Sequence, residues 1–284
     1  MNKYILEAKN LSFQYPDGTK ALNNINLKIE KGKKISFIGV NGSGKSTLFL
    51  NFNGVLKPTK GSLVYKGTEM RYNQKSLMEL RKNIGIVFQD PENQLFSASV
   101  YQEVSFGAVN LKLSEAEVRE RVDVALENIG MYDYKDKAVH FLSYGQKKRV
   151  SIADILVMNP EVIVFDEPTS SLDPKHARQI IDIFNDINEK GITVILSTHD
   201  VELAYSWSDY IFVMKNGEIV REGRPYEIFS DNDLINECYL EKPLVLEVFE
   251  HLYRNGQISS SSKIPKNKQE LFEMMIKTNN TKWR

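Results

Sequence analysis

Leu11, Phe13 and Tyr15 alternate with polar neighbours, and Ile25, Leu27 and Ile29 do so again after Pro16-Asp17-Gly18. Alternation of period two marks half-buried strands and Pro-Asp-Gly is turn chemistry, so the chain is predicted to open with a β-hairpin. Ile35–Ile38 is a short apolar strand, followed by a glycine-rich turn and a helix from Lys45 to about Phe52. Ile84–Phe88 is another strand and stops at Gln89-Asp90-Pro91. From about residue 92 to 158 the pattern is mostly helical. Ser114 with Glu117 forms a capping box, Val118, Val122, Ala125, Leu126 and Ile129 form one apolar stripe, and Gly130 stops the helix.

Strands and helices then alternate. Val162–Phe165 is a buried-strand pattern, Asp173-Pro174 opens a helix, Gly191 ends it, and Ile192–Leu196 is the next strand. Tyr210–Met214 and Glu218–Arg221, joined by Asn216-Gly217, read as a hairpin with a tight turn. Such alternation predicts an α/β domain built on a largely parallel sheet, with the helical middle inserted into it. Beyond about residue 230 the style changes. Pro243–Tyr253 is a helix candidate with Val245, Phe249 and Leu252 on one face, Ser259–Ser262 a linker-like polar run, and Gln269–Ile276 a last helix candidate.

Composition narrows the classes. Of 284 residues, 42% are apolar and 26% charged, which excludes a disordered or collagen-like chain. Lys+Arg and Asp+Glu are both 37, so the net charge is zero and the global positive field of a nucleic-acid binder is absent. A single cysteine, Cys238, excludes an internal disulfide and a Cys-rich zinc site and fits a reducing compartment. No apolar run reaches the roughly 18 residues of a membrane helix, and Met1-Asn2-Lys3-Tyr4 starts no signal peptide. A cytosolic protein is expected, one that meets a membrane only through a partner.

Gly39-Val40-Asn41-Gly42-Ser43-Gly44-Lys45-Ser46-Thr47 matches the phosphate-binding pattern G-x4-G-K-[ST] between a predicted strand and a predicted helix. Glycines let successive backbone N–H groups converge on an anion, the helix adds its positive end, Lys45 reaches the β- and γ-phosphates, and the Ser46 hydroxyl is a hard ligand for magnesium. ATP and Mg2+ are therefore the expected ligands, with Asn41, Gly42, Ser43, Gly44, Lys45, Ser46 and Thr47 forming the cradle. Asp166 and Glu167 end the Val162 strand. Acids at the tip of a buried strand are costly unless they meet a cation or a substrate. Asp166 is assigned to the metal, through water, and Glu167 to polarising the attacking water, the alternative being a solvated strand end. His199 follows the Ile192 strand and could contact the γ-phosphate, although a lone histidine there also serves structure alone. Gln89 follows the Ile84 strand and could touch metal-bound water as well as a moving neighbour, or be a plain turn residue. Three strand ends delivering Gln89, Asp166-Glu167 and His199 to one edge match ligand binding beyond the carboxyl ends of a parallel sheet.

With these residues in place, the chain resembles the nucleotide-binding subunits of ABC transporters over roughly residues 3 to 230. Leu142-Ser143-Tyr144-Gly145-Gln146 is similar to the LSGGQ signature, Ser171-Leu172-Asp173 to the D-loop, Ser197-Thr198-His199 to the H-loop, Gln89 to the Q-loop and Tyr15 to the aromatic that stacks on adenine. The resemblance implies a P-loop NTPase, RecA-like core over residues 1–230, with an antiparallel β subdomain and a helical signature subdomain at about 92–158. Residues 231–284 are then a short C-terminal helical extension. It further implies head-to-tail pairing with a second ABC ATPase, identical or related, so that Ser143, Gly145, Gln146 and Asp173 complete the opposite ATP site. Tyr144 departs from the signature's glycine. A tyrosine does not take positive φ cheaply, so its backbone is expected to be helical, and tightness at the opposite site is in question. Lys147-Lys148-Arg149 near the start of that helix oppose its dipole. They read either as a solvated or salt-bridged basic face, or as charge offset by the partner's γ-phosphate.

Phe88–Phe96 and Glu103-Val104-Ser105-Phe106-Gly107 resemble the ATPases of energy-coupling-factor importers, most like the cobalt-import ATPases of that group. The implied function is ATP hydrolysis energising uptake of a transition-metal ion or a vitamin at the cytoplasmic face of the cell membrane. A transmembrane coupling subunit and a small substrate-binding membrane subunit are the implied partners, and no nucleic acid is expected. The alternative is a soluble ABC-type ATPase acting on nucleic acid or the ribosome. A small-molecule kinase would leave the signature, Gln89 and His199 unexplained, and a non-hydrolysing regulator would leave Glu167 so. The C-terminal extension is read either as strengthening the ATPase pair or as capping the domain edge.

Overall fold

A computed structural model describes residues 3–258 and 263–282; the polar run Ser259–Ser262 lies outside them. The predicted hairpin is β1 (Tyr4–Gln14) and β2 (Lys20–Glu30), antiparallel, with Leu11, Phe13, Ile25, Leu27 and Ile29 buried on its inner face. β3 (Lys34–Ile38) leads through the glycine-rich turn into α1 (Lys45–Phe52). β4 (Lys60–Tyr65) and β5 (Thr68–Glu69) extend the first sheet to the order β2-β1-β4-β5. The hydropathy pattern missed them because only Leu63 and Val64 of β4 are fully buried, too few for a visible alternation. α2 (Gln74–Asn83), capped by Asn73, buries Leu80 alone and was equally silent.

β6 (Ile84–Val87) ends one residue short of the predicted strand. Three helices follow: α3 (Val100–Asn110), α4 (Glu115–Asn128) and α5 (Tyr144–Leu156). The Ser114–Glu117 capping box is present, the apolar stripe of α4 is buried, and Gly130 closes the turn at φ +63°. β7 (Val162–Phe165), α6 (Pro174–Glu189) and β8 (Thr193–Ser197) continue the α/β alternation. Then come α7 (Val201–Trp207) and the hairpin β9 (Tyr210–Lys215) with β10 (Glu218–Gly223). Asn216 and Gly217 sit at φ +51° and +77°, the two left-handed residues that a two-residue turn between twisted strands needs. α8 (Pro225–Phe229), α9 (Asn232–Glu237), α10 (Leu244–Arg254) and α11 (Lys268–Lys282) complete the chain.

The second sheet runs β10-β9-β3-β8-β7-β6, parallel from β9 through β6. One of its faces packs on α3–α6, burying Val104, Val122, Ile152 and Phe184 with Ile163 and Phe165. The other packs on α1 and the antiparallel sheet, burying Phe37, Phe49, Phe52 and Leu11 with Val162 and Val164. Burial on both faces is why β7 and β8 read as unbroken apolar runs. The C-terminal helices form a third cluster, in which Val245, Leu246 and Phe249 pack with Ile38, Tyr205, Ile211 and Phe229. Leu244 N donates to Glu202 Oε1 at 2.5 Å and Tyr205 Oη to Pro265 O at 3.0 Å. The extension thus caps the edge of its own core.

Gly85 in β6 lies against α5 so tightly that a Cβ there would sit 2.0 Å from Ile155 Cγ2. Gly85→Ala should therefore lower stability by about 1–3 kcal/mol. In denaturant titrations the cost should shrink when Ile155→Ala removes that methyl, giving a double mutant less destabilised than the sum of the singles.

Candidate active site

The loop between β3 and α1 is drawn tight over the strand ends. A Cβ on Gly39 would fall 2.1 Å from Met214 O, and one on Gly44 would fall 2.6 Å from Ala21 O, so neither position admits a side chain. Gly44 caps α1 at φ +104°, aiming the free N–H groups of the helix start into the loop. Lys45 curls back, its Nζ donating to Gly39 O at 2.7 Å, Val40 O at 3.2 Å and Ser43 Oγ at 3.4 Å. Burial lowers its ammonium pKa, while Glu167 and Asp166 pull it upward. Ser46 is exposed at the lip and Asn41 and Gly42 form the outer turn. Tyr15 stands beside them, edge-on to Phe13 and hydrogen-bonded through Oη to Thr47 Oγ1 at 3.0 Å.

At the tip of β7, Asp166 Oδ1 accepts from Ser197 Oγ at 2.5 Å, and the same hydroxyl accepts from Glu167 N at 2.9 Å. Glu167 is buried with its backbone at φ +44°, a left-handed conformation held in place by these bonds and by Ser170 Oγ donating to Glu167 O at 2.8 Å. His199 Nδ1 lies 2.8 Å from Glu167 Oε2, whereas Glu167 Oε1 is buried without a partner. A buried carboxylate oxygen left open beside an ammonium and a phosphate cradle suits a water or a ligand. The residues assigned to the metal from the sequence, Ser46 at the start of α1, Asp166 at the tip of β7 and Gln89 just past β6, offer a hydroxyl, a carboxylate and an amide oxygen, hard donors that fit Mg2+.

The predicted signature builds a helix cap. Ser143 is the N-cap of α5, its Oγ accepting from Gln146 N at 3.3 Å while Gln146 Oε1 accepts from Ser143 N at 2.9 Å. Tyr144 is the first helical residue, as its missing glycine requires. Gly145 faces the ring of His176 and the side chain of Leu172, and Asp173 caps α6, accepting from Lys175 N and His176 N. The Asp173 carboxyl is held below the usual range, first by the His176 ring hydrogen bond. Among the described residues, no hydrogen bond joins Ser143, Gly145, Gln146 or Asp173 to the chain's own phosphate loop. Phosphate loop, Asp166, Glu167, Ser197 and His199 come together; the signature and Asp173 form a separate surface.

The basic triplet does not form one face: Lys147 matches the salt-bridged reading, while Lys148 and Arg149 engage backbone carbonyls. The helix begins at Tyr144, so Lys147, Lys148 and Arg149 fall beyond its first turn, and each is already engaged within the chain. Lys147 pairs with Glu92. Lys148 is fully buried and donates to Phe88 O at 3.1 Å and Gln89 O at 2.5 Å. Arg149 Nη1 reaches Ile129 O at 3.4 Å. Burial holds the Lys148 ammonium down at about 8 against the pull of Asp166, Asp90 and Glu167. Sequence reasoning also missed Gln94, whose Oε1 accepts from Phe88 N at 3.2 Å and whose Nε2 donates to Ser151 O at 2.9 Å and Asp154 Oδ2 at 3.1 Å. Glu103 was missed too; fully buried, it accepts from Phe96 N and Ser97 N. For Glu103 and Lys148 the available signal was a charged residue on the inward face of α3 and of α5; Gln94, in the loop after β6, carried none.

A family model described as ABC transporter matches residues 22–170. The energy-coupling factor transporter ATP-binding protein EcfA of Methanocaldococcus jannaschii is 50% identical over 255 residues, which cover 90% of this chain and 91% of that one. A Methanosarcina mazei relative is 49% identical over 252 residues, 89% of this chain, which spans 56% of that longer protein. Among solved structures, CbiO1 of Clostridium perfringens, part of the ABC transporter complex cbiONQ, superposes with a TM-score of 0.76 at 48% identity, covering 89% of this chain and 100% of that one. A dimeric ATP-binding cassette bound to ADP and Pi in a post-hydrolysis state superposes with a TM-score of 0.71 at 31% identity, covering 78% and 98%.

Burial raises the Asp154 carboxyl from 3.8 to about 7, Glu103 adding to the rise and the Gln94 hydrogen bond opposing it. The folded chain then holds a proton there that the unfolded chain has lost, so this contribution to stability falls as pH rises through that interval. Asp154→Asn removes the titration. Its stability relative to the parent should rise between pH 4 and 7 and level off above, as read by urea unfolding at a series of pH values.

Proposed function

The chain belongs to the ABC transporter family, and from that premise we propose how it works as the ATP-hydrolysing subunit of an energy-coupling-factor importer. ATP binds with its phosphates on the loop Asn41–Thr47 and its adenine against Tyr15. Glu167 is the general base: its open Oε1 takes the proton of the attacking water, and His199 steadies the carboxylate through Oε2 and meets the γ-phosphate. Lys45 leaves the loop carbonyls for the β- and γ-phosphates. Ser46, Asp166 and Gln89 hold Mg2+, which when bound neutralises charge on those phosphates. The carrying observation for hydrolysis is the buried, unpartnered oxygen of Glu167 beside the phosphate loop.

Because Ser143, Gly145, Gln146 and Asp173 lie away from their own loop, we assign them to the ATP site of a second ATPase subunit, identical or related. Residues 1–230 are the ATPase domain, with the helical subdomain at about 92–158, and 231–284 are the extension. Phe96 and Phe106 meet edge to face at 5.1 Å on the surface just past Gln89, 69% and 49% exposed, with Val109 nearby. An exposed aromatic pair of this kind fits a helix of a membrane partner seated in a groove. Among the described residues no helix is long and apolar enough to cross a membrane, so the membrane is reached through that transmembrane subunit and a small substrate-binding one. The resemblance of residues 88–96 and 103–107 to the cobalt-import ATPases, with the likeness to CbiO1, leads us to rank a transition-metal ion, cobalt first, ahead of a vitamin; the EcfA kinship is neutral between them. Zero net charge and the same kinship weigh against a nucleic-acid or ribosome target.

Purifying the tagged chain from gently solubilised host membranes tests the reading. A polytopic subunit with a small membrane protein supports it, and recovery with ribosomes or DNA overturns it. Glu167→Gln should bind ATP yet turn over at least about 100-fold more slowly, measured by phosphate release. Tyr15→Ala should weaken ATP binding by roughly 1–3 kcal/mol with the hydrolysis rate at saturation little changed.

A further inference from the structure

A lysine with no exposed surface is a poor choice for packing alone, since its charge must be compensated inside the protein. Lys148 has two kinds of compensation. Its ammonium donates to the carbonyls of Phe88 and Gln89, and it faces the carboxylates Asp166, Asp90 and Glu167. Tyr144 lies four residues earlier on the same face of α5, and its hydroxyl donates to the same Gln89 carbonyl at 3.4 Å. Farther along α5, Gln94 joins Phe88 N to Ser151 O and Asp154. The segment 88–94 is thus fastened to α5 at both of its ends.

We propose that Lys148, assisted by Tyr144, is a positioning residue for Gln89, making the signature helix and the Gln89 strand end one mechanical unit. The Gln89 carbonyl is fixed by α5 while its exposed side chain is left to meet the metal and the nucleotide. A displacement of Ser143 and Gly145 by a partner's nucleotide then carries Gln89 of the same chain with it. On this account Tyr144 is more than a lost glycine, because its ring supplies a second tether to the strand end. The proposal rests on the ATPase reading above.

The test uses the full chain with Lys148→Met, which keeps the aliphatic stem, Lys148→Arg, which restores donors, and Tyr144→Phe, which removes one hydroxyl at a partly exposed site. Lys148→Met should lower kcat by about 10–100-fold, the range of lost support behind a metal ligand. It should also raise the Mg2+ midpoint of hydrolysis and speed amide exchange over residues 88–94, with the Kd for ATP unchanged. Lys148→Arg should recover part of each, and Tyr144→Phe should move the Mg2+ midpoint and the exchange in the same direction by less. An unchanged kcat and Mg2+ midpoint in Lys148→Met overturns the proposal. So does a loss of kcat accompanied by a general loss of exchange protection with the Mg2+ midpoint fixed, which would mark a purely structural lysine. If Lys148→Met does not fold, Tyr144→Phe decides, and parental exchange over 88–94 in that variant overturns the tether. If the parent chain shows no ATP hydrolysis, the ATPase reading fails, while the exchange measurements still report on the tether.

Discussion

Two adjacent carboxylates at the end of a strand buried on both faces repel each other, and the site is arranged around keeping both usable. Asp166 and Glu167 cannot be hydrated as surface acids are, so the fold brings charge and donors to them: the Lys45 ammonium from the phosphate loop, the Lys148 ammonium from α5, and the Ser197 hydroxyl from the neighbouring strand. Each comes from a different element. β3 with α1, α5, and β8 must therefore be packed correctly before the acids are compensated, which ties assembly of the core to readiness of the site. The parallel sheet does this by ending β3, β6, β7 and β8 at one edge.

The second consequence concerns division of labour. In a single chain the phosphate loop and the two strand-end carboxylates are together, while the signature cap and Asp173 share no hydrogen bond with that loop. Helix caps are suited to this, because a Ser–Gln capping box fixes the backbone of the helix start through the two side-chain oxygens as acceptors and leaves the Ser143 O–H and the Gln146 amide N–H groups as donors. The surface is thus rigid before any second subunit arrives, and ordering it costs little on association.

Much of this was legible in the sequence, for physical reasons that differ by element. The start of the helix at Lys45 and the strand Val162–Phe165 were placed to the residue because a glycine loop and a pair of acids bound them sharply. Asp173-Pro174, Gly191 and Asn216-Gly217 are stereochemical signals and fall where they were expected. β4, β5 and α2 were invisible, since β4 buries two side chains, α2 one and β5 none, which leaves no period to detect. In the site, the residues assigned to the ligand were picked out by recognisable motifs. The supporting roles of Ser197, Lys148, Gln94 and Glu103 were not legible even where those residues fall within a motif: what defines them is a specific contact, for Ser197 with Asp166 31 residues away and for Lys148 with Gln89 59 residues away. The basic triplet shows the limit most clearly, for three consecutive cations looked like one feature and are three separate contacts, one a salt bridge to an exposed glutamate and two to backbone carbonyls.

The left-handed backbone of Glu167 has a bearing on how such a protein can change. A non-glycine residue in that region gives up about 1 kcal/mol of folding stability. Glycine or asparagine at that position would relieve the strain and, at the same stroke, remove the carboxylate proposed as the base. A library screened for heat resistance alone would therefore enrich chains that lack the carboxylate at residue 167. Selection for turnover must keep returning the same carboxylate to a conformation that the rest of the fold would rather give to another residue.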